Sequence, residues 1–274
     1  MRPMNKSEKI IPGSEGLHFV KSVEKAFAVL ESFNDGSREL SLADIIEKTG
    51  LDKNAVRRFT HTLQVLGYLG KDQSTRRYML TRRSLIGANS FLMGDPLITK
   101  ALPHIVELRR QFDLRVGCGC IEGREVMYLI PLQSLTSALN TGHPGFKLNV
   151  YATATGRAIL ANWEPEEARA LIESCDRQKI TSMTLTDTDD IMLEIDKARE
   201  QGYCISAQES GLGNVNIAVP IFNNRGQAIA AVAAIGSTSN WTVEELEKQV
   251  APVILSTARA ISMEIKHIND PALT

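Results

Sequence analysis

SLADIIEKTGLDKNAVRRFTHTLQVLGYL, residues 41–69, is the stretch from which the rest of the chain can be read. It predicts two helices joined by a tight turn. The first spans about residues 42–48 and is capped by Ser41, whose hydroxyl accepts a backbone N–H left without a partner at the helix start. Thr49-Gly50-Leu51 is the turn, because Gly50 takes the left-handed conformation that closes a helix without a Cβ clash. Asp52 caps the second helix, which runs on to about Gly67. Its residues Ala55, Val56, Phe59, Leu63 and Leu66 recur at spacings of three and four, one apolar stripe. Lys53, Asn54, Arg57, Arg58 and His61 lie near the start of the other face, all donors suited to base edges or phosphates. This is the layout of a helix-turn-helix whose second helix enters a major groove.

On the N-terminal side, residues 1–16 are polar and hold Pro12, Gly13 and Gly16, a loose tail. A helix over 20–33 follows, with Val23, Ala26, Phe27, Leu30 and Phe33 as its core face, and residues 38–40 add a short strand. On the C-terminal side, strands at 68–71 and 77–80 flank the polar tip Asp72-Gln73-Ser74-Thr75, a wing whose Lys71, Arg76 and Arg77 reach toward backbone or minor groove. Such cations also protect exposed sheet edges, and that solvated role is the alternative for the hairpin.

The net charge of −1 conceals an asymmetry. Residues 48–83 carry about +7, which leaves about −8 on the remainder, a basic island on an acidic body. At 274 residues the chain is long enough for two domains with real cores. No run approaches the roughly 18 apolar residues of a membrane span, and the start lacks an apolar signal region, so a cytoplasmic protein without membrane contact is expected.

Beyond the wing, helices at 82–93 and 97–112 connect to a second domain, and the first of them also suits pairing of two subunits. Strands at 115–121 and 125–132 come next, then a strand at 147–151 and helices at 153–162, 166–174 and 189–201. Strands at 203–208, 216–222 and 228–235 precede a final helix from Thr242, which Pro252 bends or divides. The mixture, with hairpin-linked strands, is an α+β domain with an antiparallel sheet.

Motifs for catalysis are missing. The five histidines have no metal-ligand spacing, and G-x-S-x-G, H-E-x-x-H and a phosphate loop are all absent. No enzyme activity, catalytic residue, metal or cofactor is expected. Cys118, Cys120, Cys175 and Cys204 lack paired C-x-x-C spacing, and reduced, buried thiols are the plain reading. A redox- or metal-responsive regulator using Cys118 and Cys120 is the alternative from a different class.

From about Leu17 the chain resembles the IclR family of bacterial transcriptional regulators. The resemblance is carried by KSVEKAFAVLESF, LADIIEKTGLDKNAVRRFTHTLQVLGYL, RRYMLT, YATATGRAILA and GYCISAQESGLGNVNIAVPIFNNRGQAIAAVAAIG, in order along both domains. It implies a flexible tail at 1–16, a winged helix-turn-helix at 17–81, a linker helix at 82–96 and a GAF- or profilin-like effector-binding domain at 97–274. It also implies operator DNA and a small-molecule effector as partners, in a homodimer or a tetramer built as a dimer of dimers.

The family's recognition positions fall on Lys53, Asn54, Arg57, Arg58 and His61. Lys53 suits a phosphate as well as a base, and one of Arg57 and Arg58 has the alternative of turning inward to Asp44 or Glu47. Its effector positions fall on Gly145, Phe146, Tyr151, Ala152, Thr153, Ser206, Asn216, Ala233 and Ile235. Tyr128, Cys118 and Cys120 are further candidates, although same-face strand packing is the plainer role for the two cysteines. Thr153 both caps its helix and opens a run of backbone N–H groups toward a carboxylate. The apolar Ala233 and Ile235 argue against a two- or three-carbon oxo-acid, whose oxygens would lose partners, and for a larger, partly apolar acid, aromatic or otherwise ring-bearing.

Overall fold

The computed structural model describes residues 18–136 and 142–266. The expected tail at 1–16 lies outside them. The chain falls into two compact units, Met1–Phe91 and Leu92–Thr274, a division ten residues beyond the expected end of the first domain.

The first unit holds α1 (Lys21–Glu31), α2 (Leu42–Thr49), α3 (Lys53–Val65), β1 (Leu69–Lys71) and β2 (Tyr78–Leu80). Local chemistry sets each boundary. Ser41 Oγ accepts the Asp44 N–H while Asp44 Oδ2 accepts the Ser41 N–H, a reciprocal cap on α2. Gly50 ends that helix at φ +66°, as the turn requires. Asp52 Oδ1 then accepts the N–H groups of Asn54 and Ala55, each at 2.9 Å, and starts α3.

The core of this unit joins Val29, Phe33, Ile45, Val56 and Leu63 to Leu40, Leu69 and Tyr78. Two expectations change here. On α1 the buried stripe is Val29 with the following Phe33, whereas Val23 and Phe27 are exposed; on α3, Leu66 is exposed and Thr60 is buried. Thr60 enters the core because its hydroxyl bonds the Val56 carbonyl at 2.8 Å, which removes the cost of an unpaired polar group. Leu40 and Tyr78 exchange backbone hydrogen bonds, so the predicted short strand is a single bridge onto the wing.

A 3-10 turn, Arg82–Ser84, leads into α4 (Leu85–Gly94), which crosses the division between the units. No residue of α4 is buried. Asp95 caps α5 (Pro96–Phe112). Among the described residues no helix is long and apolar enough to cross a membrane.

The second unit is built on β3 (Arg115–Glu122), β4 (Glu125–Leu132), β5 (Phe146–Asn149), β6 (Cys204–Ala207), β7 (Asn214–Phe222) and β8 (Ala228–Ser237). They form one antiparallel sheet in the order β5-β4-β3-β8-β7-β6. The remaining helices are α6 (Ala154–Leu160), α7 (Pro165–Ser174), α8 (Thr188–Gln201), α9 (Val243–Glu245) and α10 (Ala251–Ile265). One sheet face packs Val116, Cys118, Ile217 and Val232 against α5 and α10. The other packs Ala218, Ala231 and Ala233 against α6, α7 and α8. A π turn, Leu246–Val250, joins α9 to α10 and widens the helix just before Pro252, which has no N–H to continue a regular ladder. The strand expected at 147–151 is shorter: β5 gives way to a 3-10 turn at Val150–Ala152.

Candidate functional site

The polar face of α3 emerges as one surface. Lys53, Asn54, Arg57, Arg58 and His61 are all exposed. Among the described residues no ion pair engages Arg57 or Arg58; the acid considered for one of them, Asp44, faces Arg77 of the wing at 3.4 Å instead. Arg77 also approaches the Glu39 carbonyl. Lys71 is likewise engaged, with Nζ 3.2 Å from the Tyr78 hydroxyl. Arg76 stays exposed at the wing, in the left-handed region at φ +61°. The tip is held by Asp72, which accepts the side chain of Ser74 and the N–H groups of Thr75 and Ser74, and its pKa falls to about 2 as a result. A rigid hairpin thus stands behind an exposed donor face.

In the second unit, a cavity of about 260 Å³ opens on the sheet face that carries α6. Its floor follows from sheet register. Arg115 pairs with Ile235, Ile235 with Asn216, and Asn216 with Ser206, so a cation, an aliphatic chain, an amide and a hydroxyl stand in one row across four strands. The next row is small: Gly117, Ala233, Ala218 and Cys204. A Cβ on Gly117 would lie 3.1 Å from the Ile130 carbonyl, and one on Gly156 of α6 would lie 2.4 Å from the Val150 carbonyl. Glycine at both places keeps the floor flat and lets α6 sit close. Tyr128 and Phe146 stack at 5.2 Å as one wall, and Tyr128 bonds the Thr155 hydroxyl at 3.0 Å.

Among the described lining residues Arg115 is the one charged side chain. Its Nη2 donates to Asn214 Oδ1 at 2.6 Å, and burial draws its pKa down; a guanidinium nonetheless keeps its charge in proteins. Asn216 and Ser206, 7% and 2% exposed, are a contrast: Asn216 Oδ1 and Ser206 Oγ have no hydrogen-bond partner among the described residues.

Of the nine effector positions expected from the sequence, Phe146, Thr153, Asn216, Ala233 and Ile235 line the cavity. The other four do not. Tyr151 donates its hydroxyl to the Gln178 carbonyl at 2.7 Å, because residues 150–152 form a turn and the strand alternation is lost there. Ala152 is buried in that turn, Gly145 sits at φ +88° before β5, and Ser206 lies one strand beyond Asn216. Thr153 accepts the Gly156 N–H at 3.1 Å, so its hydroxyl is used as a cap.

Cys118 packs on the opposite face of the sheet, with Cys120 partly buried beside the same cluster, so neither faces the cavity. Burial pushes the Cys118 thiol far up, Cys204 up to about 12, and Cys120 and Cys175 up as well. Protonated thiols are poor nucleophiles and poor metal ligands at neutral pH, which counts against redox or metal sensing. Among the described residues no cluster of three or more His, Cys, Asp or Glu side chains is placed to hold a metal ion.

Sequence reasoning overlooked two features. Arg115 had a signal, since it opens an otherwise apolar strand in which Arg115, Gly117 and Gly119 alternate with Val116, Cys118 and Cys120. The second had none: Arg157 of α6 is fully buried and pairs through both Nη atoms with Glu209, at 2.7 and 2.5 Å, 52 residues away. Burial opposes the Arg157 charge, but the double hydrogen bond to Glu209 outweighs it and its pKa rises. Arg157 Nε donates to the Tyr151 carbonyl and Glu209 also accepts the Leu185 N–H, so the pair ties α6 to the turn at 150–152 and to the loop at Leu185.

Comparison with known proteins agrees with this arrangement. The IclR helix-turn-helix domain matches residues 22–73, and the bacterial transcriptional regulator IclR C-terminal domain matches residues 90–263. The Pca regulon regulatory protein of Pseudomonas putida is 29% identical over 248 residues, covering 90% of this chain and 84% of that protein. The p-hydroxybenzoate hydroxylase transcriptional activator of Acinetobacter baylyi is 30% identical over 248 residues, 89% of this chain and 91% of its own length. A crystal structure from Rhodococcus sp. RHA1, described as a transcriptional regulator, superposes with a TM-score of 0.77 at 28% identity, covering 90% of this chain and 98% of that one. With its helix-turn-helix, its helix-covered antiparallel sheet and matches along both units, the chain belongs to the IclR family of bacterial transcriptional regulators.

Proposed function

We propose that this regulator controls a catabolic operon in the cytoplasm and that its effector is a small, partly apolar, ring-bearing acid. The observation that carries this is the cavity itself: among its described lining residues a single charged side chain, Arg115, stands with the aromatic pair Tyr128 and Phe146 and the aliphatic Leu148, Ala233 and Ile235. An anionic end meets the guanidinium, and a ring lies along the apolar wall. A two- or three-carbon acid leaves most of that wall uncovered. The names of the Pseudomonas and Acinetobacter relatives, a Pca regulon regulator and a p-hydroxybenzoate hydroxylase activator, support the same class.

DNA binding is assigned to Lys53, Asn54, Arg57, Arg58 and His61 of α3, with Arg76 of the wing in a supporting role and Lys71 and Arg77 chiefly shaping the hairpin. α4, which leaves Leu85, Ile86, Phe91 and Met93 exposed, is assigned to pairing with a second copy in a homodimer, or in a tetramer built from dimers.

The test is thermal melting of the purified protein against a panel of small acids, followed by operator binding with each hit. A ring acid is expected to raise Tm and to change operator affinity. Stabilisation only by glyoxylate-sized acids would refute the proposal.

A further inference from the structure

β7 runs on past its neighbour. Its pairing with β6 ends at Ala218 opposite Cys204, so among the described residues 219–222 have no strand beside them on that edge. The end of α8 and one face of α10 flank this length of edge and leave a groove of about 490 Å³. It lies at the other end of β7 from the sheet cavity and shares no described lining residue with it. Pairing by a further strand is disfavoured there, because Pro220 has no N–H and the Phe222 N–H donates to Ser262 Oγ at 3.0 Å. The edge is thus already protected, and the cations around it are not needed for that task. A groove of this volume beside a closed edge suits a small molecule rather than an extended peptide.

The charge in the groove is of one sign. Arg199, Arg259 and Lys266 line it, and among the described residues no acid does. Over residues 92–266 acids outnumber bases, 21 to 16, so this concentration runs against its surroundings. Nearby acids are already engaged: Glu264 of α10 with His104 and Lys100 of α5, and Asp196 of α8 with Arg199. Arg199 is anchored further by the Ala161 carbonyl, to which its Nε donates at 2.9 Å. By contrast, no hydrogen bond or ion pair among the described residues engages Arg259 or Lys266, and both are exposed. They stand seven positions apart, about 10 Å along the axis of α10, with Met263 between them. Met263 is 71% exposed and, with Leu255, Val219 and Phe222, supplies an apolar wall. An anionic head there meets two charge-assisted donors, while an apolar body covers the wall.

We infer that this groove is a second ligand site and that its ligand is a small anionic amphiphile. The head is held by Arg259 and Lys266, and the apolar body lies along Met263 and Phe222. The site is independent of the ring-acid reading of the sheet cavity.

Calorimetry on the full chain, with every probe below its aggregation concentration, compares octyl phosphate with inorganic phosphate, 1-octanol and octylammonium. Octyl phosphate is expected to bind at least about tenfold more tightly than the other three, because only it satisfies head and wall together. Its binding should weaken as salt rises. Arg259→Ala with Lys266→Ala is expected to lower that affinity at least about tenfold with Tm nearly unchanged, since neither side chain has a partner to lose. Met263→Glu, which sets a like charge against the head and removes part of the wall, is expected to act in the same direction. Inorganic phosphate binding as tightly as octyl phosphate would reduce the groove to a counter-ion site and overturn the inference. Octyl phosphate that does not bind, or binds both variants as it binds the wild type, overturns it as well. None of these outcomes touches the ring-acid reading, which stands or falls on the panel of small acids.

Discussion

Single residues divide into those presented outward and those whose partners lie inside the fold. Arg58 is exposed on α3, and no acid among the described residues engages it, so its guanidinium suits a bidentate contact to guanine, about 1–3 kcal/mol for a good pair. Arg58→Ala is expected to weaken operator binding by that order with effector affinity nearly unchanged, measured by fluorescence anisotropy. Arg77→Ala should lose clearly less, since Arg77 faces Asp44 and Glu39; an equal or larger loss would return Arg77 to the DNA contact list. Inside the second unit the energetic scale differs. Surface pairs such as Arg169 with Asp189 contribute little because solvent screens them, whereas removing one partner of a buried pair costs about 3–5 kcal/mol by stranding the other charge. Arg157→Met should therefore lower unfolding stability in urea by several kcal/mol, and Arg169→Ala should change it far less. Similar values for the two would mean that Glu209 finds water once Arg157 is gone.

At the scale of elements, α4 is the anomaly. LIGANSFLMG is apolar around much of its circumference, yet none of it is buried within one chain. Exposed apolar patches of this kind are typical of association surfaces, which is the basis of the proposed subunit pairing through this helix. Leu85→Glu with Ile86→Glu should shift the sedimentation profile toward monomer and weaken operator binding, because two half-sites then engage independently. An unchanged oligomer would place the interface elsewhere. Around the cavity, Gly156 brings α6 against Val150 and the Arg157–Glu209 pair anchors that helix.

For the whole molecule, function lies in a coupling between the two units. An effector changes operator affinity only to the extent that it binds one state better than another, and by linkage operator DNA changes effector affinity by the same factor. Calorimetry of an identified ring acid with and without saturating operator measures that factor in one direction, and anisotropy measures it in the other. Unequal factors would show that the two measurements report different equilibria. The charge distribution bears on the same scale. With about +7 concentrated in residues 48–83 and the remainder acidic, operator binding should weaken steeply with salt while a buried effector contact is much less affected.

What the sequence by itself determined is local. Ser41, Gly50 and Asp52 set the ends of two helices through contacts two to four residues away, and helical spacing put Lys53, Asn54, Arg57, Arg58 and His61 on one exposed face. The order of strands and helices in the second unit was legible for the same reason, as hydrophobic period and turn residues act within a few positions. The tertiary structure decided everything that depends on register and on which of two apolar stripes is covered. Val29 rather than Phe27 packs inward because helical period names candidate faces without naming the one that meets α3. Arg115, Ile235, Asn216 and Ser206 form one row only because four strands, distant in the chain, pair in a particular register. Arg157 finds Glu209 across 52 residues by the same kind of long-range closure. Short-range hydrogen bonding specified the second helix of the helix-turn-helix, whereas long-range pairing built the cavity, so the first was readable in advance and the second was not.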